Sequence, residues 1–152
     1  MNLLKYMLLA VKKTTKVVDI CFLKEEHKMN TLGRHILAEI YGCAEEILNN
    51  VHQIEQFMVE SALESGAEVR EVAFHKFSPQ GVSGVVVISE SHLTIHTWPE
   101  LGYAAVDVFT CGDKINPWDA CNHLTEKFNA KHMTATEVKR GLFDEPVKVA
   151  NL

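Results

Sequence analysis

A glutamate, a serine and two histidines interrupt the most β-prone part of the sequence. The apolar run 84–88 leads into Glu90, Ser91 and His92, and His96 follows after Leu-Thr-Ile. Serine and histidine together suit nucleophilic and acid–base chemistry, because the hydroxyl attacks carbonyls and the imidazole moves protons. A serine hydrolase would carry a G-x-S-x-G elbow, whereas Ser91 lies in S-E-S-H-L. On a strand the two histidines would lie about 13 Å apart, too far to chelate one metal ion, so we expect no metal site.

The periodicity around these residues predicts one domain of mixed strands and helices. Strands are predicted at 34–42, 68–77, 81–90, 92–98, 103–110 and 132–140. One helix is predicted over 43–67, where apolar residues recur every three or four positions. A second is predicted to begin at Asn116 as N-cap, with Pro117 in its first position. The fold class is therefore α+β, a two-layer α/β sandwich whose mainly antiparallel sheet has two helices on one face and leaves the other to solvent or a partner subunit.

The composition is that of an ordinary globular protein. The chain has 152 residues, of which 47% are apolar and 23% charged, with a formal net charge of −5. This acidic balance argues against general nucleic-acid binding. No apolar run approaches the ~18 residues of a membrane span, and the apolar N-terminal patch lacks a cleavage motif, so we expect a cytoplasmic protein without a membrane partner. The cysteines are Cys21, Cys43, Cys111 and Cys121. Without CxxC spacing, free thiols are expected.

Residues 1–28 differ from the rest of the chain in their hydrophobic pattern, which has neither a clear helical nor a clear strand periodicity. Met29 opens a segment that looks like a second natural start, so that 1–28 would be an N-terminal extension and 29–152 the single domain. The β-prone segment 14–23 is equally compatible with an extra strand. The sequence leaves both interpretations open.

The segment 81–113 closely resembles the bacterial and archaeal form of S-adenosylmethionine decarboxylase, a pyruvoyl enzyme of polyamine synthesis. The core of the resemblance is E-S-H-L-T-I-H-T-W-P-E with the T-C-G that follows. It continues into 32–43 and 116–124 and covers roughly residues 29–142. A match this long and specific implies the family's fold and its self-processing proenzyme.

The resemblance implies that the chain cuts itself between Glu90 and Ser91. The Ser91 hydroxyl would attack the Glu90 carbonyl to give an ester. Elimination would split the ester, and Ser91 would lose ammonia to become a covalent pyruvoyl cofactor. His96 matches the proton acceptor in this processing, and Ser83 matches a serine that assists it. The products would be a β chain of residues 1–90 and an α chain of residues 91–152.

The resemblance also implies how the mature enzyme acts. The pyruvoyl group would bind S-adenosylmethionine as a Schiff base and accept the electrons left by carbon dioxide. Cys111 matches the proton donor, and a thiol with a reference pKa of about 8.5 is mostly protonated at neutral pH. Phe77 and Trp98 match aromatic residues suited to the sulfonium and adenine. Glu100 matches a carboxylate suited to the ribose hydroxyls. No role carries over to His92, and the other three cysteines are expected to be ordinary packing residues.

The family form is a homodimer of processed protomers with each site at the subunit interface. Its product would be the aminopropyl donor for spermidine synthesis. Two alternatives are a non-catalytic homologue acting as a binding or regulatory subunit, and a decarboxylase of another amino acid such as arginine. The presence of Ser91, His96 and Cys111 argues against the non-catalytic homologue.

Overall fold

The computed structural model describes residues 31–144 of the chain. The predicted start at Met29, the alternative strand at 14–23 and Cys21 lie outside the described residues. No helix within 31–144 has the length and hydropathy needed to cross a membrane.

Six strands form a single sheet in the order β2-β3-β4-β5-β1-β6. They are β1 (Thr31–Tyr41), β2 (Val69–Lys76), β3 (Val82–Ile88), β4 (Ser91–Trp98), β5 (Tyr103–Cys111) and β6 (His132–Leu142). Every neighbouring pair is antiparallel. The predicted α+β fold with an antiparallel sheet is confirmed. β3 and β4 form a tight hairpin, and a short 3-10 turn, Pro99–Leu101, joins β4 to β5.

The helices are α1 (Glu45–Leu48), α2 (Val51–Glu64) and α3 (Pro117–Lys127). The prediction of one helix over 43–67 is wrong, because the helix is interrupted at Asn49 and Asn50 and two helices form instead. The Asn50 side chain accepts hydrogen bonds from the backbone N–H groups of His52 and Gln53 and starts α2 as its N-cap. Asn116 caps α3 in the same way, as predicted.

Alternation along the strands gives the sheet a covered face and an open face. The covered face packs against the helices and contributes buried core side chains, of which Ile36, Ala38, Ile40, Leu93 and Ile95 are at most 1% exposed. The open face lies on the other side of the sheet. Its large apolar side chains, each between 36% and 39% exposed, are Leu37, Tyr41, Val87, Trp98 and Val138. The open face therefore has the composition of a surface that another layer can cover.

Candidate active site

The predicted cleavage bond lies at the end of the β3–β4 hairpin. Ile88 pairs directly with Ser91, so only Ser89 and Glu90 form the turn. Glu90 has a φ of 77°, a left-handed conformation that costs a residue with a Cβ roughly 1–2 kcal/mol. The Glu90–Ser91 peptide bond therefore follows directly on a strained residue, as expected for a serine that must reach the preceding carbonyl.

Ser91 is the first residue of β4 and lies on the covered side of the sheet, since its pairing partner Ile88 is 3% exposed. Its Oγ lies 3.5 Å from Nδ1 of His92, at the outer limit of a hydrogen bond. The His92 ring in turn contacts Phe109 edge-on, with ring centroids 5.8 Å apart. Sequence reasoning assigned no role to His92, and its adjacency to Ser91 was the one signal available.

Cys111 ends β5 beside the same turn. Burial, and to a lesser extent the Glu90 carboxylate, raises the pKa of the Cys111 thiol. Gly112 follows with a φ of 69°, and a Cβ there would lie 3.4 Å from Glu90 Oε2. The positive φ favours glycine at position 112, and the Glu90 carboxylate lies within van der Waals distance of this position. We call Ser89, Glu90, Ser91 and Cys111 the cleavage-turn cluster.

A cavity of about 540 Å³ opens beside the turn. It is lined by Gly66, Glu68, Arg70, Ile88, Ser89, Glu90, Lys114 and Ile115. Charged side chains of both signs border it, and the turn residues Ser89 and Glu90 form one wall. The turn is thus only partly supported by side-chain packing.

A second group of predicted residues lies at the other end of β4. Ser83 and His96 are direct cross-strand partners, and Ser83 Oγ lies 2.5 Å from His96 Nδ1. The His96 ring lies 5.8 Å from that of Trp98. The hydrogen bond between Ser83 Oγ and His96 Nδ1 orients the imidazole, and it leaves the other ring nitrogen, Nε2, available on the exposed open face. We call Ser83, His96, Trp98, Phe77 and Glu100 the distal cluster.

Trp98 belongs to a row of stacked rings on the open face. Its ring centroid lies 5.1 Å from that of Tyr103, which lies 5.2 Å from that of Tyr41. The Tyr103 hydroxyl donates a hydrogen bond to Glu39, which raises the pKa of Tyr103 to about 12. Tyr103 therefore stays protonated and fixes one side of the indole. Its contact with Trp98 depends on strand register, which sequence reasoning did not use.

Phe77 and Glu100 complete the distal cluster. Phe77 is 46% exposed and packs edge-on against His75, with centroids 4.7 Å apart. The Glu100 carboxylate accepts a hydrogen bond of 2.8 Å from Gln80 Nε2. Gln80 lies in the loop after Phe77, so this bond ties the two segments together. An exposed aromatic ring and an exposed carboxylate are groups that suit a ligand with an aromatic base and hydroxyl groups.

The two clusters are far apart within one chain. Ser91 and His96 are separated by five positions of β4, which places them about 16 Å apart along the strand. The odd spacing also puts their side chains on opposite faces of the sheet. The structure thus places Glu90 and Ser91 at one end of β4, with Cys111 beside Glu90 at the end of β5 and on the open side of the sheet. It brings the predicted processing and substrate-binding residues together at the other end.

The remaining described cysteines lie away from both clusters. Cys43 and Cys121 are buried free thiols, and burial raises their pKa values to about 11 and about 12. Protonated and enclosed thiols of this kind are unreactive packing residues. No group of three or more His, Cys, Asp or Glu side chains with metal-binding geometry occurs in the described part of the chain.

The family model of S-adenosylmethionine decarboxylase matches residues 34–141. A protein of Acetivibrio thermocellus named S-adenosylmethionine decarboxylase proenzyme is 86% identical over 124 residues, or 82% of this chain and 100% of the relative. A Clostridium kluyveri protein of the same name is 81% identical over 121 residues, or 80% of this chain and 96% of the relative. The crystal structure of the adenosylmethionine decarboxylase from Aquifex aeolicus matches with a TM-score of 0.71 and 34% identity, covering 78% of this chain and 98% of that one. The chain therefore belongs to the S-adenosylmethionine decarboxylase family.

Proposed function

We propose that the protein decarboxylates S-adenosylmethionine with a pyruvoyl group that it makes from Ser91. The observation that carries the proposal is the conformation of the turn. Glu90 is held at positive φ immediately before Ser91, and the Cys111 thiol lies beside it. A serine after a strained residue and a protonated thiol next to it are what self-cleavage and carbon protonation require.

Self-cleavage would begin when the Ser91 hydroxyl attacks the Glu90 carbonyl and the amide becomes an ester. The left-handed strain at Glu90 favours this step, because the shift converts the rigid peptide bond into a more flexible ester. A base then removes the Cα proton of Ser91, and elimination releases the Glu90 carboxylate as the end of the β chain. The dehydroalanine left at position 91 tautomerises to an imine, and water hydrolyses this imine, so that ammonia leaves and the pyruvoyl group remains at the start of the α chain.

A pyruvoyl group at this position would supply a covalent electron sink for loss of carbon dioxide. Cys111 would deliver the proton to the substrate carbon. Its raised pKa keeps the thiol protonated through neutral pH, so the donor is ready at each turnover. The matched residues Phe77, Trp98 and Glu100 would hold the adenosyl and sulfonium parts of the substrate.

We further propose that the functional unit is a homodimer in which the partner supplies the distal cluster. A general base must come within about 3 Å of the proton it removes, and His96 lies about 16 Å along the strand from Ser91 of its own chain. An isologous interface across the open face can place the His96 end of one β4 against the Ser91 end of the other. The partner imidazole would approach the backbone Cα proton of Ser91 there, because the Ser91 side chain lies on the covered side of the sheet. The exposed apolar side chains of the open face support a second copy as the covering layer.

The decisive experiment is intact-mass spectrometry of the wild-type and Ser91→Ala proteins. The wild type should give two chains, the smaller beginning at a blocked residue 91, whereas Ser91→Ala should stay uncut. Ser89→Ala, which removes the neighbouring hydroxyl, should still reach two chains at completion. Cleavage of Ser91→Ala would show that the cut is external proteolysis and would refute the pyruvoyl proposal.

The substrate is tested separately with the cleaved protein. Labelled carbon dioxide should be released from S-adenosylmethionine and not from arginine, and the other product should serve a spermidine synthase as aminopropyl donor. Release from arginine alone would assign the protein to another substrate class while leaving the self-cleavage intact.

A further inference from the structure

Three polar contacts hold Ser89, the first residue of the cleavage turn. Its backbone N–H donates to the Glu68 carbonyl oxygen at 2.8 Å. Its Oγ accepts a hydrogen bond from Arg70 Nε at 2.7 Å and donates one to Glu68 Oε2 at 3.2 Å. Arg70 Nη2 also bonds Glu68 Oε2, at 3.2 Å. Ser89, Glu68 and Arg70 thus form a closed network, which we call the turn clamp.

The turn clamp takes the place of packing at this point of the fold. The cavity beside the turn is lined by all three clamp residues and by Glu90, so the turn borders open space on that side. The positive φ of Glu90 is unfavourable by itself and persists only where its surroundings determine it. The bonds of Ser89 to Glu68 and Arg70, at the start of β2, restrict the backbone of the turn from one end. The pairing of Ser91 with Ile88 restricts it from the other end.

We propose that Arg70 is a positioning residue for self-cleavage, which it promotes by holding Ser89 so that Glu90 keeps its left-handed conformation. The inference rests on the proposed function. Without the clamp, Ser89 is free to turn and Glu90 relaxes to negative φ. This rotates the Glu90 carbonyl away from the attacking Ser91 oxygen, so fewer chains are ready for the first step.

Arg70 suits this task because of its shape. It uses Nε for Ser89 and Nη2 for Glu68 at once, a fork that the single ammonium of lysine does not reproduce. The pair is also well exposed, with 57% of the Arg70 and 67% of the Glu68 side chain accessible. Exposed ion pairs contribute little to global stability, so loss of Arg70 should alter the turn and leave unfolding nearly unchanged.

The test is the rate of cleavage of chains made by cell-free translation, followed on gels after synthesis is stopped. Arg70→Met should slow cleavage roughly tenfold, which corresponds to about 1.4 kcal/mol on the barrier. Arg70→Lys and Ser89→Ala should slow it similarly. The control is Lys127→Met, which removes another surface ion pair, Lys127–Glu60 at 3.0 Å, far from the turn. The control should cleave at the wild-type rate, and all variants should unfold near the wild-type temperature.

The same substitution in a Glu90→Gly background separates positioning from a merely structural role. Glycine adopts positive φ without the Cβ penalty, so Arg70→Met should then slow cleavage by less than about twofold. Equal rates for the wild type and Arg70→Met would overturn the inference. An equal slowing with glutamate and with glycine at position 90 would also overturn it, since the effect would not pass through the backbone of that residue. A wild-type chain that stays uncut would refute the proposed function and this inference with it.

Discussion

If His96 serves the Ser91 of the partner, two inactive variants should restore cleavage to each other. Ser91→Ala has no nucleophile but offers an intact His96. His96→Ala has the nucleophile but no base. In the proposed mixed dimer, the Ser91 end of β4 in the His96→Ala chain would lie against the end of the partner's β4 that carries an intact His96. The expectation comes from the geometry of β4, because five positions of strand give about 16 Å and opposite faces.

The yield follows from random pairing. When both variants are co-expressed in equal amounts, about half of the His96→Ala chains lie in mixed dimers. About half of all the His96→Ala chains should therefore be cut at Glu90-Ser91. None of the Ser91→Ala chains should be cut. A small tag on one variant gives the two chains different masses, so intact-mass spectrometry counts each one separately.

A matched control removes the donated base. Co-expression of His96→Ala with the double variant Ser91→Ala/His96→Ala leaves no His96 in any dimer, so no chain should be cut. Hydroxylamine, which cleaves esters, should then release chains that stalled before elimination. Uncut chains in the first mixture, alongside normal cleavage of the wild type, would refute action across the dimer. Wild-type cleavage of His96→Ala alone would remove His96 from the chemistry.

Three further predictions concern single residues. Cys111→Ser should still be cleaved, but turnover should fall ~10²–10⁴-fold because a hydroxyl is a poor proton donor; wild-type turnover would exclude Cys111 as the acid. In the uncut Ser91→Ala chain, Glu90→Gln should speed alkylation of Cys111 by iodoacetamide at mildly alkaline pH, since the lost carboxylate no longer raises the thiol pKa; an unchanged rate would contradict this. Hydrogen bonds from Arg34 and, to a lesser extent, Trp118 lower the pKa of Glu137 to about 2. The contribution of the ionised Glu137 to the free energy of unfolding is therefore fully present above the ordinary carboxyl pKa and is lost as the pH falls towards 2. Glu137→Gln should cost about 1 kcal/mol in urea unfolding at neutral pH and little near pH 2, and equal losses would be the contrary result.

The sequence was most informative where structure depends on neighbours along the chain. Alternating residues predicted a strand at 34–42, within β1, and Asn116 with Pro117 predicted the start of α3. The same reasoning missed the break at Asn50, because apolar residues keep a helical spacing on both sides of it. A capping asparagine inside a periodic run marks a new helix only if the backbone turns there, and that depends on packing against the sheet.

The candidate functional residues were predicted from the motif and remain a prediction, whereas their arrangement in space could not be predicted. Ser91 and His96 lie close in sequence, which suggests one compact site. Once β4 is a strand, however, their odd spacing separates them. The contacts of Arg70 with Ser89 and of Tyr103 with Trp98 join segments brought together by hydrogen-bonded strands. Such contacts are set by register, which a sequence specifies only weakly at exposed polar positions.

The division of the site between the two ends of β4 has a consequence for maturation. The reaction at Ser91 needs a proton acceptor, and the matching imidazole lies beyond reach in the same chain. On the proposed mechanism, an isolated chain would therefore hold a strained but uncut turn. Assembly would bring the Ser83–His96 pair of one subunit to the cleavage-turn cluster of the other. Self-cleavage would then follow dimerisation, and the adenosyl-binding residues would arrive with the same movement. One interface would therefore provide both the base that makes the cofactor and the surface that selects the substrate.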